Sequence, residues 1–164
     1  MITGQKVLQD LRGVDIFAGL PDDELRQIAS VCTQRSYLPG EFCAAEGETT
    51  DELRIVSAGK VAIEMRIEIA PYTQTLNIAT LGKGKVCAWS ALVEPHVLTA
   101  SIRCLDKAQI IGIRASALER IFERKPDIEA VVMRNLSRIV SSRLRESRAQ
   151  LLRLIAEMVK QGKY

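Results

Sequence analysis

The sequence predicts an α+β fold: an antiparallel sandwich or jelly roll, flanked by N-terminal helices and a long C-terminal helix. Three observations carry this. Residues 35–114 hold short runs of period-two hydrophobicity, broken by glycine turns about every dozen residues. On both flanks the alternation gives way to helical spacing. Beyond Pro126 apolar residues recur every seven positions, which only a long helix uses.

Residues 5–11 and 21–32 read as short helices. Pro21 stands at a helix start, and Asp22, Asp23 and Glu24 suit the positive end of the helix dipole. Leu20, Leu25, Ile28, Ala29 and Cys32 form the apolar stripe. The stretch Tyr37-Leu38-Pro39-Gly40-Glu41 is a turn by its Pro-Gly pair, and Glu46-Gly47 and Ala58-Gly59-Lys60 are further turns. Between them Leu53 and Ile55, then Val61, Ile63, Met65 and Ile67, alternate as strands. Residues 75–81 alternate too, and Ile102–Ile113 holds two strands split at Asp106-Lys107. Ser116-Ala117-Leu118-Glu119 has the capping-box pattern and predicts a short helix ending before Pro126. Pro126 then opens a helix expected to reach residue 160. The expected organisation is a domain over 1–125 and a helical appendage over 126–164.

Composition sets bounds. The 164 residues are 47% hydrophobic and 26% charged, the balance of a soluble globular chain large enough to bury a core. No window approaches the run of about 18 apolar residues a membrane helix needs, and the N-terminus lacks a secretory h-region. A cytoplasmic location is expected by default. The net charge of +3 is too small to imply nucleic-acid binding by itself. Cys32, Cys43, Cys87 and Cys104 stand far apart with a single histidine, His96, which is poor metal-ligand spacing. They are read as reduced, mostly buried small hydrophobes. No nucleophile–base pair, metal cluster or phosphate-cradling loop is present, so an enzyme is the weakest expectation. The acids between Glu46 and Glu52 are read as solvated.

Residues 81–101 are the most informative stretch. Gly82 and Gly84, the pair Ala91-Leu92 and the small run Thr99-Ala100-Ser101 resemble the phosphate-binding cassette of the cyclic-nucleotide-binding domain. The resemblance extends over residues 14–160. Phe17 and Leu20 match the opening segment, Leu38-Pro39-Gly40-Glu41 with Glu46-Gly47 match its turns, and Ile55–Val61 match its central hairpin. It implies a β-roll (a double-stranded β-helix) of the catabolite-activator type and a regulatory, non-enzymatic role in signal transduction. In the family a glutamate holds the ribose 2′-hydroxyl and an arginine holds the cyclic phosphate. Trp89 and Leu98 stand at those positions, and a one-residue shift of register gives Val97.

The degenerate cassette is therefore Ala88, Trp89, Ser90, Ala91, Leu98, Thr99, Ala100 and Ser101. Backbone N–H groups of 88–91 and the hydroxyls of Ser90, Thr99 and Ser101 could still meet an anion. His96 and Arg103 are the nearest replacement cations. Losing a charge-assisted phosphate bond costs about 2–5 kcal/mol. Micromolar binding is about −8 kcal/mol, so cAMP or cGMP is expected to bind weakly or not at all. Trp89 reads as a pocket-filling residue or as a platform for a flat ligand. A haem has little support from one histidine and scattered cysteines.

In the long helix Leu144, Leu151 and Met158 repeat every seven residues, as do Val140, Ser147 and Leu154. This predicts a parallel homodimer seam, or else a helix packed on its own roll. Arg134, Arg138, Arg143, Arg145, Arg148, Arg153, Lys160 and Lys163 face only Glu146 and Glu157. They form a solvated basic face or one that meets an acidic partner or phosphates. The family's transcription factors carry a winged helix-turn-helix after this helix. This sequence ends at Tyr164, so sequence-specific DNA binding is not expected. Two functions remain. One is a sensor of a weakly held cyclic nucleotide or another small ligand. The other is a ligand-free dimeric adaptor, its pocket plugged by Trp89 and Leu98 and its downstream protein partner unknown.

Overall fold

The computed structural model describes residues 4–70 and 72–162. Lys163 and Tyr164, and the first three residues, lie outside that range.

Two four-stranded antiparallel sheets face each other. Their strands are β1 (Cys32–Tyr37), β2 (Phe42–Ala44), β3 (Glu52–Ala58), β4 (Val61–Ile69), β5 (Tyr72–Leu81), β6 (Val86–Ala88), β7 (Ser101–Cys104) and β8 (Ala108–Arg114). One sheet runs β1-β8-β3-β6 and the other β2-β7-β4-β5, so consecutive strands fall in different sheets everywhere but at the β4–β5 hairpin, and the chain rolls. Helices α1 (Gly4–Leu11) and α2 (Asp22–Ala29) precede the roll, and α3 (Ala115–Arg124) and α4 (Pro126–Lys160) follow it. This is the predicted α+β roll.

The first sheet is covered on both faces, which is why β3 and β8 are buried almost throughout. On one face Leu53, Ile55, Ile111 and Ile113 pack under the helices with Leu11, Phe17, Ile28, Leu118 and Ile128. On the other face Val56, Ala108 and Ile110 fill the roll with Val61, Ile102 and Cys104. Period-two alternation puts successive residues of one strand into two different cores. The first turns of α4 belong to the helical core through Ile128, Val132 and Leu136. Asn135, buried beside them, donates to the carbonyls of Ile16 and Ala18 at 3.1 and 2.9 Å and ties α4 to the turn Asp15–Phe17.

Several expectations need correction. Helix α2 stops at Ala29, and Cys32 opens β1 instead of closing a helical stripe. Helix α3 begins at Ala115, one residue before the Ser116 capping box, and Arg114 makes no side-chain cap. The Ala115 N–H instead donates to the Asp51 carbonyl at 2.8 Å, so a tertiary bond sets the helix start. Glu52 is not solvated: it is buried between Arg35 at 2.9 Å and Arg54 at 3.1 Å. Its carboxylate occupies the space beside Gly112 where any Cβ would sit, 2.4 Å from its Oε1.

Candidate functional site

Gly84 positions the cassette. Its φ is +82°, and a Cβ there would lie 2.3 Å from the Gly13 carbonyl oxygen, so only glycine allows this approach. The bond from the Asp15 N–H to the Gly84 carbonyl, at 3.0 Å, then fastens the cassette to the N-terminal segment. Strand β6 follows, then one 3-10 turn, Ser90–Leu92, whose N-cap position is Trp89. This single turn supplies little dipole for an anion. His96 stands at φ 60° after a cis Glu94–Pro95 bond, with Nδ1 3.1 Å from the Ser90 carbonyl, so it braces the loop.

The predicted cassette residues do converge. Ala88, Trp89, Ser90, Leu98, Thr99 and Ala100 line one cavity of about 130 Å³ between the roll and α4, and Ala91 is buried behind the turn. Ser101 is turned away and accepts the Glu46 N–H at 3.0 Å. Leu98 is only 5% exposed and belongs to the roll core, so an alkyl group fills the place of the family's arginine. Arg103 offers no replacement. Its guanidinium grips the buried Glu64 carboxylate, with Nε 3.0 Å from Oε1, and that hydrogen bond raises the arginine further above its ordinary pKa.

Two residues outside the predicted set complete the wall. Arg143 and Ser147 reach the cavity from α4. The Arg143 guanidinium lies 5.8 Å from the centre of the half-buried Trp89 ring, within cation–π range. Its Nη1 donates to Glu146 at 2.7 Å. The side chain is 14% exposed, and Nε is buried without a hydrogen-bond partner among the described residues. The sequence held a faint signal of both: Ser147 is the polar break in the heptad, and Arg143 precedes it by one helical turn on the same face. Ile63, Met65, Ile78 and Cys87 give the cavity an apolar floor.

The helix therefore packs along its own roll, where Glu146, Ala149, Gln150 and Arg153 lie against Ile78–Leu81. A second face stays open. Leu144, Leu151 and Met158 of the predicted seam are exposed, with Val140 beside them, while Leu154 is half-buried. Leu152, Ile155 and Val159 join the exposed stripe.

Comparison with known proteins agrees with this arrangement. The model of the family described as "Cyclic nucleotide-binding domain" matches residues 34–125. A cGMP-dependent protein kinase of Caenorhabditis briggsae is 30% identical over 115 residues, 70% of this chain and 15% of that protein. The cyclic AMP receptor protein of Thermus thermophilus is 25% identical over 141 residues, 86% of this chain and 62% of its own length. The chain thus spans less than two thirds of these relatives. Among solved structures, a cyclic nucleotide-binding domain from Methylobacillus flagellatus superposes with TM-score 0.76 at 19% identity, covering 91% of this chain and 82% of that one. The regulatory subunit of a cAMP-independent protein kinase A from Trypanosoma brucei gives 0.72 at 18%, covering 92% and 51%. The matched residues span most of the roll and the cassette, and the chain belongs to the cyclic nucleotide-binding domain family.

Proposed function

We propose that this chain is a cytoplasmic, non-enzymatic regulatory module whose roll takes a small monoanion with a flat or apolar body instead of a cyclic nucleotide. One observation carries the reading: Arg143, on the helix that would transmit a signal, lines the cavity, and its buried Nε has no hydrogen-bond partner among the described residues. An unsatisfied buried N–H costs about 1–3 kcal/mol, more on a charged group, and an anion in the cavity would recover it. Trp89 and the apolar floor suit a flat body, and Ser90, Thr99 and Ser147 offer hydroxyls. The cavity of about 130 Å³ is small beside the roughly 300–1,000 Å³ of ordinary ligand pockets. That size, and Leu98 in place of the phosphate-binding arginine, oppose cAMP and cGMP.

The coupling follows from where the helix is held. Asn135 pins its first half to the Asp15–Phe17 turn, and Arg143 engages the cavity eight positions later. An anion drawn onto Arg143 would pull the distal half of α4 against the roll. The exposed stripe through Leu144, Leu151 and Ile155 would then carry the response into a homodimer. The four free thiols suit a reducing compartment.

Calorimetric titration with benzoate, acetate, inorganic phosphate, cAMP and cGMP tests the reading. Saturable heat from benzoate, lost in Arg143→Ala, supports it. Micromolar cAMP or cGMP binding sinks it. Silence with every anion favours the second reading, a ligand-free adaptor, which the burial of Leu98 supports.

A further inference from the structure

A second cavity flanks α4, and the charges that line it are poorly matched by the fold. It is a groove of about 340 Å³ between α4, the Asp15–Phe17 turn and the end of β5. Asp15 lines it, and among the described residues no group donates a hydrogen bond to its carboxylate. Oδ1 is buried without a partner, and Lys85 Nζ approaches Oδ2 only to 3.6 Å. Arg138 lines the groove from the helix and has no acid beside it among the described residues. Its side chain bonds instead to the Asn135 side-chain oxygen, at 3.4 Å. The same Asn135 amide donates to the Ile16 carbonyl at 3.1 Å. One side chain thus separates the guanidinium from the turn that carries Asp15. Arg143 and Glu146 also line the groove, but they hold each other at 2.7 Å.

We propose that this groove is a binding site for an aliphatic α-amino acid. The ammonium donates to the Asp15 carboxylate, the carboxylate pairs with Arg138, and the side chain lies on the apolar wall of Ala18, Leu81 and Ile139. The amino and carboxyl groups of such a ligand stand on one carbon, which suits an acid and a guanidinium that one side chain separates. A bare amine leaves Arg138 without an anion, and a bare carboxylate leaves Asp15 without a donor. Rotation about the Cβ–Cγ bond of Asp15 exchanges its two oxygens, so the buried one can turn to the groove. A volume at the lower end of the roughly 300–1,000 Å³ of ligand pockets fits a ligand of this size.

The site is separate from the roll cavity, and the inference does not rest on an anion binding there. Among the described residues Arg143 alone lines both. An amino acid in the groove would join α4 to the Asp15–Phe17 turn beside the Asn135 pin, so it would act on the same helix from the opposite flank.

Calorimetry on the full chain tests the site with L-leucine and two analogues. One is 4-methylpentanoate, which lacks the amine, and the other is isopentylamine, which lacks the carboxylate. The expected result is saturable binding of one leucine per chain, at least about tenfold tighter than either analogue. Arg138 is exposed, so Arg138→Gln spares the core and should weaken leucine at least about tenfold. Asp15→Asn should do the same. The proposal is overturned by no saturable heat from leucine, by an analogue that binds as tightly as leucine, or by a leucine affinity that Arg138→Gln leaves unchanged. The first two outcomes are read on the unaltered protein, so a variant that fails to fold does not blunt the test. Benzoate and Arg143→Ala, which test the roll cavity, play no part here, so either reading can fail alone.

Discussion

The Arg143 guanidinium lies 5.8 Å from the Trp89 ring centre, so a residue of the long helix caps the start of the cassette turn. Removing either partner should loosen the helix, and removing both should cost less than the sum. A double-mutant cycle on Trp89→Ala and Arg143→Ala, read by urea unfolding, should give a coupling of about 0.5–2 kcal/mol. A coupling of zero would mean the two side chains are merely neighbours.

Restoring the family's charges should restore its ligand. Leu98→Arg alone places a cation in the apolar roll core and should destabilise the fold. With Trp89→Glu the indole is gone, space opens and the arginine can meet a cyclic phosphate. The double variant should bind cAMP or cGMP at least about tenfold more tightly than the parent chain by calorimetry, equivalent to about 1.4 kcal/mol.

Asn135 is buried and donates to two carbonyls at the Asp15–Phe17 turn. Asn135→Ala strands both acceptors and removes the pin on α4. Thermal or urea unfolding should show a loss of about 1–3 kcal/mol. A larger loss of amide-exchange protection beyond residue 140 than in the roll would locate the effect in the helix.

Alkaline stability should report on Cys32. Burial raises its thiol to about 12 in the folded chain, above the ordinary value of 9.0. The folded state then keeps a proton that the unfolded state has released. This contribution is whole below the unfolded value and disappears as pH climbs towards the folded one. Between pH 9 and 10.5 the slope should approach about −1.4 kcal/mol per pH unit from this group. Cys32→Ala should be less stable at pH 7 and show a shallower decline; an unchanged slope would mean the thiol is already solvated.

The open face of α4 should hold two copies of the chain together. Leu151 and Ile155 are exposed one turn apart on it. Leu151→Glu with Ile155→Glu should convert a dimer at micromolar concentration into a monomer in sedimentation velocity, with the roll's circular dichroism unchanged. A parent chain that is already monomeric would remove the dimer from the proposed function.

The order of elements, the turns and the boundaries of the long helix were legible in the sequence, because these depend on neighbours. Pro126 opens α4 and Lys160 closes it as the heptad spacing required, and Pro39-Gly40 and Asp106-Lys107 fall in turns. By the resemblance, Leu98 and Trp89 stand where the family carries its ligand charges. Tertiary structure decided what spacing cannot express. A three-residue strand such as Val86–Ala88 is too short to show a period, and the start of α3 was set by a carbonyl 64 positions earlier in the chain. Arg143 looked like one cation among many until α4 was laid along β5, and Cys43, Cys87 and Cys104 looked scattered until the roll closed. In each case the deciding contact joins residues that are remote along the chain, and only the folded backbone brings them within reach of one another.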